Sequence, residues 1–198
     1  MKDFSTQRII SFFLPIIFSF VFFYWVLIVI QNPIKTKQEQ PSINKKLTSQ
    51  TISGFAIVVD GDTIKINKNR IRLMGIDAPE TKQKCLDKNY YEYFCGEVST
   101  NFLKKLIGNK NVECKYEKKD IYNRYLAWCK MSEININHKM VQQGMAIIYS
   151  LKEASVELKN LEAEAKNKKL GVWQGAFMEP KEYRKKVNHR NASATLNK

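Results

Sequence analysis

The apolar and polar positions divide the chain into an uncharged N-terminal run, a polar stretch and a longer mixed region. Residues 9–30 carry no charged side chain, and a helix of that length at ~1.5 Å per residue measures about 33 Å. This length is enough to cross a hydrocarbon layer of about 30 Å. We therefore predict a transmembrane helix at residues 9–30, after a short flank at residues 1–8.

A cleaved secretory signal peptide is the main alternative for residues 9–30. Its apolar part would be about half as long and would end at small residues, where the signal peptidase cuts. The run ends instead at Ile30 with no small residue to cut after, so an uncleaved anchor is the better interpretation. Residues 31–50 are polar and lack apolar periodicity, and we interpret them as a linker.

Five segments of the mixed region have the pattern of β-strands. Residues 55–59 are apolar, while residues 63–67 and 70–74 alternate between apolar and polar side chains, which predicts a three-stranded meander. Two further strands are predicted at residues 111–116 and 125–131, joined by a polar loop.

Three helices are predicted among these strands, at residues 97–107, 137–143 and 154–170. The first stops at Gly108 and the third at Gly171, as expected of helix C-termini. Five short strands with interspersed helices suit a small closed barrel of the OB (oligonucleotide-binding) kind. Periodicity alone leaves other α+β arrangements open.

The charge of the chain narrows the classes of partner. The sequence has 33 Lys+Arg against 19 Asp+Glu and a formal net charge of +14, with an excess of basic side chains in each of residues 1–50, 51–174 and 175–198. A basic surface favours polyanions such as nucleic acid or anionic lipid headgroups. On charge alone, solvated lysine faces explain the composition equally well.

Two acidic turns carry the candidate chemistry. Asp60 and Asp62 lie between the first two predicted strands, and Asp77 and Glu80 follow the third. Because the second and third strands would be antiparallel neighbours, Asp62 and Asp77 are expected at the same end of the sheet. Carboxylates with no His or Cys nearby form the all-oxygen site that Ca²⁺ or Mg²⁺ prefers. Asp-Gly and Asp-Ala-Pro are also ordinary turn sequences, but these two turns flank a strand that bears Arg72.

The order and spacing of several segments resemble the staphylococcal nuclease (thermonuclease) family. The matching segments are residues 58–63, 72–81, 120–127, 135–146 and 171–177. The resemblance covers residues 53–184 and implies an α+β fold, a five-stranded OB-fold β-barrel with three helices, at residues 51–177. Residues 178–198 are then a basic C-terminal tail.

The resemblance implies a calcium site. Asp62 and Asp77 match the family's calcium carboxylates, and Ala78 lies where a backbone carbonyl completes the metal site. Asp60 matches an acidic position behind these ligands. Zinc is not expected, because the four cysteines form no Cys-x-x-Cys pair and the two histidines are remote in the sequence.

The resemblance also implies catalytic and substrate-binding roles. Glu80 falls at the family's water-activating carboxylate, and Arg72 and Arg124 fall at its two catalytic arginines. Tyr122 keeps the aromatic side chain of the substrate-binding loop, and Tyr149 matches a binding tyrosine in a shifted position. These roles suit phosphodiester hydrolysis, because guanidinium groups and a cation hold the charge that grows on the phosphate while a carboxylate activates water.

The expected protein is a monomeric, membrane-anchored, calcium-dependent endonuclease that hydrolyses DNA, RNA or both with little sequence specificity. Two alternatives stay open. One is an OB-fold module that binds nucleic acid or a partner without cleaving it, and the other is a structural envelope protein that uses the barrel as a docking surface. Both leave the match at the catalytic positions unexplained.

The four cysteines allow three pairings. If the last two predicted strands form a hairpin, Cys114 and Cys129 lie opposite one another at bridging distance. Cys85 and Cys95 then bracket a tyrosine-rich loop, and some exported members of the family have cysteines similarly placed. We predict the disulfides Cys85–Cys95 and Cys114–Cys129.

Two disulfides predict that the nuclease domain lies on the extracytoplasmic side, periplasmic or extracellular, because cysteines pair stably in an oxidising compartment. The toxicity of an unregulated nuclease beside the chromosome favours the same side. Four free thiols in a cytosolic protein are the alternative. The positive-inside rule supports that alternative, because lysines follow the apolar run within residues 31–50, against Lys2 and Arg8 before it.

Overall fold

The structure, a computed structural model, describes Tyr24 and residues 49–196. The chain divides into two units, residues 1–45 and residues 46–198, and all the elements below belong to the second. The predicted transmembrane helix at residues 9–30 and most of the predicted linker lie outside the described residues. Within the part of the chain that is described, no helix is both long and apolar enough to cross a membrane.

Five strands close into a barrel. The strands of the described chain are β1 (Gln50–Val58), β2 (Thr63–Ile66), β3 (Asn69–Leu73), β4 (Ile76–Asp77), β5 (Cys85–Leu86), β6 (Glu92–Tyr93), β7 (Asn111–Lys119), β8 (Tyr125–Met131), β9 (Ile134–Asn135) and β10 (Ile147–Ile148). β1, β2 and β3 form the predicted meander, and antiparallel pairing continues from β1 to β7 and from β7 to β8. Parallel pairing of β3 with β8 closes the barrel. The predicted OB-type α+β barrel is therefore confirmed.

Alternation along β2 and β3 builds one side of the core and one side of the site. Ile64 and Ile71 face each other across the two strands, and both are fully buried, as is Leu73. Successive strand residues point to opposite faces, so the polar residues between these positions point away from the core. Thr63 pairs with Arg72 where the two strands meet the first acidic turn. The register that fills the core therefore also places Arg72 beside that turn.

The helices of the described chain surround the barrel. They are α1 (Cys95–Ile107), α2 (Ile136–Gln142), α3 (Val156–Asn167) and α4 (Pro180–Leu196), with a 3-10 turn at Gly171–Gln174. Side chains cap two of them: Asn135 accepts a hydrogen bond from the backbone N–H of His138, and Ser155 accepts one from Leu158. The apolar faces of α1, α2 and α3 pack against the barrel core.

The prediction of three helices was incomplete, because α4 lies within the segment expected to be a tail. Pro180 begins it, at the position where a missing backbone N–H and a fixed φ suit a helix. The packed face of α4 is narrow: Pro180 is buried, while Tyr183 and Val187 are half-buried. The segment therefore lacks the wide apolar stripe by which an amphipathic helix is identified in a sequence.

Both predicted disulfides are present, and the described residues contain no free cysteine. Cys114 of β7 and Cys129 of β8 are directly paired in the hairpin, with their Cα atoms 4.1 Å apart. Cys85 and Cys95 join β5 to the first residue of α1, with a Cα–Cα distance of 5.6 Å. The second bridge ties the segment that follows Glu80 to the start of a core helix.

Candidate active site

β2, β3 and β4 bring the two acidic turns together at one end of the barrel. The backbone N–H of Leu73 donates to the carbonyl of Asp62 at 2.8 Å, which joins the first turn to the end of β3. The chain then turns at Gly75, whose φ of 82° lies in the left-handed region that favours glycine. Asp77 follows in β4, where it pairs with Ile147 of β10. As the antiparallel pairing predicts, Asp62 and Asp77 lie side by side.

Arg72 lies between these two carboxylates. Its Nη1 donates to Oδ1 of Asp62, and its Nη2 donates to Oδ1 of Asp77 at 2.7 Å. All three side chains are largely removed from water, with exposed fractions of 15% for Arg72, 5% for Asp62 and 3% for Asp77. The guanidinium group therefore offsets the repulsion between two buried negative charges.

A second arginine, Arg184 of α4, reaches the same carboxylates from the far end of the sequence. Its Nη2 donates to Oδ2 of Asp77 at 2.9 Å, and its Nη1 donates to Oδ1 of Asp77 at 3.0 Å. The same Nη1 donates to Oε1 of Glu80 at 2.8 Å. Arg184 thus joins both carboxylates of the second acidic turn to α4, and Asp77 is held by two guanidinium groups.

Burial and ion pairing act in opposite directions on the ionisation of this cluster. Burial raises the pKa of Asp62 to about 7, although the Arg72 guanidinium opposes the rise. Burial alone would lower the pKa of Arg72, but Asp62 and Asp77 outweigh it and hold that pKa above its ordinary value. Burial is likewise outweighed at Arg184, where Asp77 and Glu80 raise the pKa. Both arginines therefore stay charged, whereas a further cation would favour the ionised form of Asp62.

The turn that carries Glu80 is fixed by contacts on both sides. The buried side chain of Gln83 accepts a hydrogen bond from the backbone N–H of Glu80 at 3.2 Å and donates to the carbonyl of Met178 at 2.7 Å. α1 begins so close to this turn that a Cβ on Gly96 would lie 1.8 Å from the carbonyl oxygen of Glu80. The side chain of Glu80 is nevertheless 41% exposed. Glu80 therefore has a rigid backbone and a side chain that water can reach.

Asp120 holds Arg124, the other predicted catalytic arginine, in the loop between β7 and β8. Nε of Arg124 donates to Oδ2 of Asp120 at 2.8 Å, and Nη2 lies 2.7 Å from the same oxygen. Oδ1 of Asp120 accepts the backbone N–H groups of Tyr122 and Arg124, both at 2.9 Å. Burial alone would raise the pKa of Asp120, but these bonds lower it below its ordinary value. The loop thus presents Arg124 in one fixed orientation.

An open cavity of about 1130 Å³ contains almost the whole predicted site. The predicted residues that line it are Asp60, Asp62, Arg72, Ala78, Glu80, Tyr122, Arg124 and Tyr149. Asp77 does not line it, because its carboxylate is enclosed by its two arginine partners. The structure therefore places eight of the predicted metal, catalytic and substrate-binding residues on one cavity, with Asp77 joined to them through Arg72.

The carboxylate pair fits a hard cation in its chemistry. Asp62 and Asp77 offer only oxygen atoms, and the guanidinium groups of their two arginine partners contact oxygens that a cation would take. The backbone N–H of Ala78 donates to Oδ2 of Asp62 at 3.0 Å, which joins the two turns, and Oδ1 of Asp60 accepts the N–H of Asp62 at 3.1 Å within the first turn. Among the described residues, no three His, Cys, Asp or Glu side chains are arranged to hold a metal. A cation here would therefore also need backbone and water oxygens.

From the sequence, no role is assigned to three residues that shape the site, Arg184, Asp120 and Gln83, although Asp120 begins one matching segment and Arg184 ends the resemblance. Asp120 lies four residues before Arg124, and its Asx-type turn is a local signal that could have been recognised. Arg184 lies 107 positions after Asp77, and Gln83 bonds to a residue 95 positions away. No local sequence pattern predicts contacts between residues so far apart in the chain.

Comparison with known proteins identifies the family to which the chain is similar. Residues 70–175 match the family described as staphylococcal nuclease homologue. The chain is 36% identical over 124 residues to an uncharacterized endonuclease of Escherichia coli O157:H7, covering 60% of this chain and 74% of that protein. It is 32% identical over 126 residues to a thermonuclease of Staphylococcus intermedius, covering 59% and 73%. It is 30% identical over 132 residues to the succinoglycan biosynthesis protein ExoI of Rhizobium meliloti (strain 1021), covering 64% and 66%.

The match to this family and the relatives named endonuclease and thermonuclease support a nuclease hydrolase, and the closed OB-type barrel with arginines and carboxylates in one cleft is consistent with that class. The chain belongs to the staphylococcal nuclease homologue family.

Proposed function

We propose that the chain is a calcium-dependent endonuclease that hydrolyses phosphodiester bonds of DNA, RNA or both with little sequence specificity. The observation that carries this proposal is the shared cleft, where Asp62, Glu80, Arg72 and Arg124 meet. Endonuclease and thermonuclease are also the names of two of the relatives.

Asp62 and Asp77 are the carboxylates that would hold the calcium ion, together with the backbone carbonyl of Ala78. Asp60 would not contact the ion and would instead orient Asp62, whose backbone N–H donates to Oδ1 of Asp60. Calcium held there would supply positive charge to the phosphate oxygens and would help to orient the attacking water. An oxygen-only donor set favours calcium or magnesium over zinc.

The other side chains act on the substrate. Glu80, exposed at the cleft, accepts the proton of the attacking water. Arg72 and Arg124 donate to the phosphate oxygens, whose negative charge grows in the transition state. Tyr122 and Tyr149 are 72% and 54% exposed, and their rings offer stacking surfaces to bases.

Cleavage of labelled single-stranded DNA, single-stranded RNA and supercoiled plasmid tests this function. Calcium should activate cleavage of at least one substrate, an excess of chelator should abolish it, and zinc should activate less well. Asp62→Ala and Asp77→Ala should each weaken calcium binding and turnover together. Full activity in excess chelator would remove calcium from the proposal. Binding of the oligonucleotides without any cleavage would favour a binding module instead.

We also propose that residues 9–30 anchor the chain in a membrane and that the monomeric nuclease domain lies outside the cytoplasm. The two disulfides support this side, because bridges of this kind persist in an oxidising compartment. Thiol alkylation followed by non-reducing mass spectrometry should find no reactive cysteine. Spheroplasts should leave the domain open to added protease, and light scattering in detergent should give the monomer mass. Four alkylated thiols together with protection from protease would contradict the topology.

A further inference from the structure

α4 forms one wall of the active-site cavity. The residues of this helix that line the cavity are Lys181, Arg184, Lys185 and Asn188. Their spacing of i, i+3, i+4 and i+7 places all four on one stripe of the helix. We call these four residues the α4 stripe. A polar, largely basic stripe thus runs along the wall of a cleft that contains the reactive carboxylates.

Contacts at the start of α4 fix the position of this wall. Pro180 is buried, and the hydroxyl of Tyr183 donates to the carbonyl of Lys82 at 3.3 Å. Arg184 makes its three hydrogen bonds with Asp77 and Glu80, so the helix is joined to the acidic turn itself. The remaining residues of the stripe therefore keep a defined position relative to the site of reaction.

The charges of the stripe differ in what they are paired with. Arg184 is compensated by the site's carboxylates, whereas Lys181 and Lys185 are exposed and have no ion pair within the described part of the chain. Lys118 and Lys119 of β7 line the same cavity. The cleft therefore carries positive charge beyond what its carboxylates need, and that charge favours an anionic ligand that extends past the reactive centre.

We propose that Lys181 and Lys185 bind phosphate groups of the nucleic-acid strand next to the phosphate that is cleaved. This inference rests on the proposed nuclease function and adds a substrate-contact surface to it. The two lysines lie four residues apart, about 6 Å along the helix axis at ~1.5 Å per residue, which suits successive groups of one extended polyanion. A single strand is the form that fits, because its flexible backbone can follow the wall down to the partly buried Arg72.

Two double variants of α4 provide a matched test. Lys181→Gln with Lys185→Gln removes two charges from the stripe. Lys186→Gln with Arg190→Gln removes two charges at the same spacing from exposed positions of the same helix that do not line the cavity. The full chain, in non-ionic detergent, is titrated onto a fluorescein-labelled 12-nucleotide oligothymidylate in excess chelator at several salt concentrations. Fluorescence anisotropy gives Kd, and its salt dependence gives the number of phosphate contacts.

The stripe variant is expected to bind about 10- to 30-fold more weakly at 0.1 M salt, with a salt slope smaller by about 1.4, because each contact with a single strand contributes about 0.7. The control variant is expected to lose no more than about 3-fold, because exposed charges away from the strand are screened over ~10 Å at this salt. Single charge reversals provide a second comparison. Lys185→Glu, in the stripe, is expected to weaken binding more than Lys186→Glu, outside it.

Equal losses in the two variants of each pair, or no measurable binding by the wild-type chain, would overturn the inference. The failure of the proposed function is a separate result: no hydrolysis by the wild-type chain in calcium. A persistent difference between stripe and control in a chain that does not hydrolyse would keep the binding surface and remove the nuclease. If the wild-type chain hydrolyses its substrate but the stripe and control variants bind equally well, the nuclease function is kept and the binding surface is removed.

Discussion

Arg72→Met is the substitution whose effect follows most directly from the geometry of the cleft. Arg72 is the only cationic side chain paired with Asp62 within the described residues, whereas Asp77 also has Arg184. Removing one partner of a buried ion pair leaves an uncompensated charge and typically costs about 3–5 kcal/mol. Met fills a similar volume, so the loss of free energy of unfolding comes from the charge and its hydrogen bonds rather than from a cavity.

The pH dependence of this loss has a definite sign. The pKa of folded Asp62 is about 7, far above the ordinary value of a carboxyl, so the folded state holds a proton that the unfolded state has released. The contribution of Asp62 to stability is therefore present at low pH and is lost as the pH rises through 7. In the wild type this loss is complete above about pH 7. Without Arg72 the pKa of Asp62 rises further, so the variant goes on losing free energy of unfolding above pH 7, by up to ~1.4 kcal/mol per pH unit. Arg72→Met should thus destabilise by about 3 kcal/mol or more at pH 8 and by clearly less at pH 6.

Urea unfolding followed by tryptophan fluorescence in chelator measures both values, provided that the m-value is unchanged. Arg70→Met is the matched control, because Arg70 lies on the same strand, is exposed and has no ion pair among the described residues. Its effect should stay within about 0.5 kcal/mol. Saturating calcium should stabilise Arg72→Met more than the wild type, since the ion then compensates both carboxylates. A loss equal to that of Arg70→Met, or larger at pH 6 than at pH 8, would refute this reasoning.

Three further outcomes are expected. Glu80→Gln should lower single-turnover cleavage by about 10²–10⁴-fold while the calcium-induced rise in Tm stays near that of the wild type; an unchanged rate in the folded variant would exclude Glu80 as the base. Asp120→Asn should lower turnover about tenfold by releasing Arg124, and it should have no effect in an Arg124→Ala background if Asp120 acts only through that arginine. Replacing Cys114 and Cys129 together by Ala should lower the free energy of unfolding by about 3 kcal/mol for this separation of 15 residues; a loss below about 1 kcal/mol in urea unfolding would contradict it.

The strands and the acidic turns could be predicted from the sequence because both are local signals. Two-residue alternation predicts strands at residues 63–67 and 70–74, and the fully buried Ile64 and Ile71 occupy apolar positions of that alternation. The same register determines that Asp62 and Asp77 share one end of the sheet. The hairpin likewise places Cys114 opposite Cys129.

Only the tertiary structure determined how the carboxylates are compensated and what forms the wall of the cleft. α4 has a narrow packed face, so the sequence predicts a basic tail for this segment instead of a helix. Arg184 lies 107 residues after Asp77, and their hydrogen bond depends on how α4 packs against the rest of the domain. Periodicity encodes which face of an element is buried, because burial is repeated at every turn or every second residue. A single ion pair between distant segments is not repeated, so it leaves no periodic trace and is decided by the path of the folded chain.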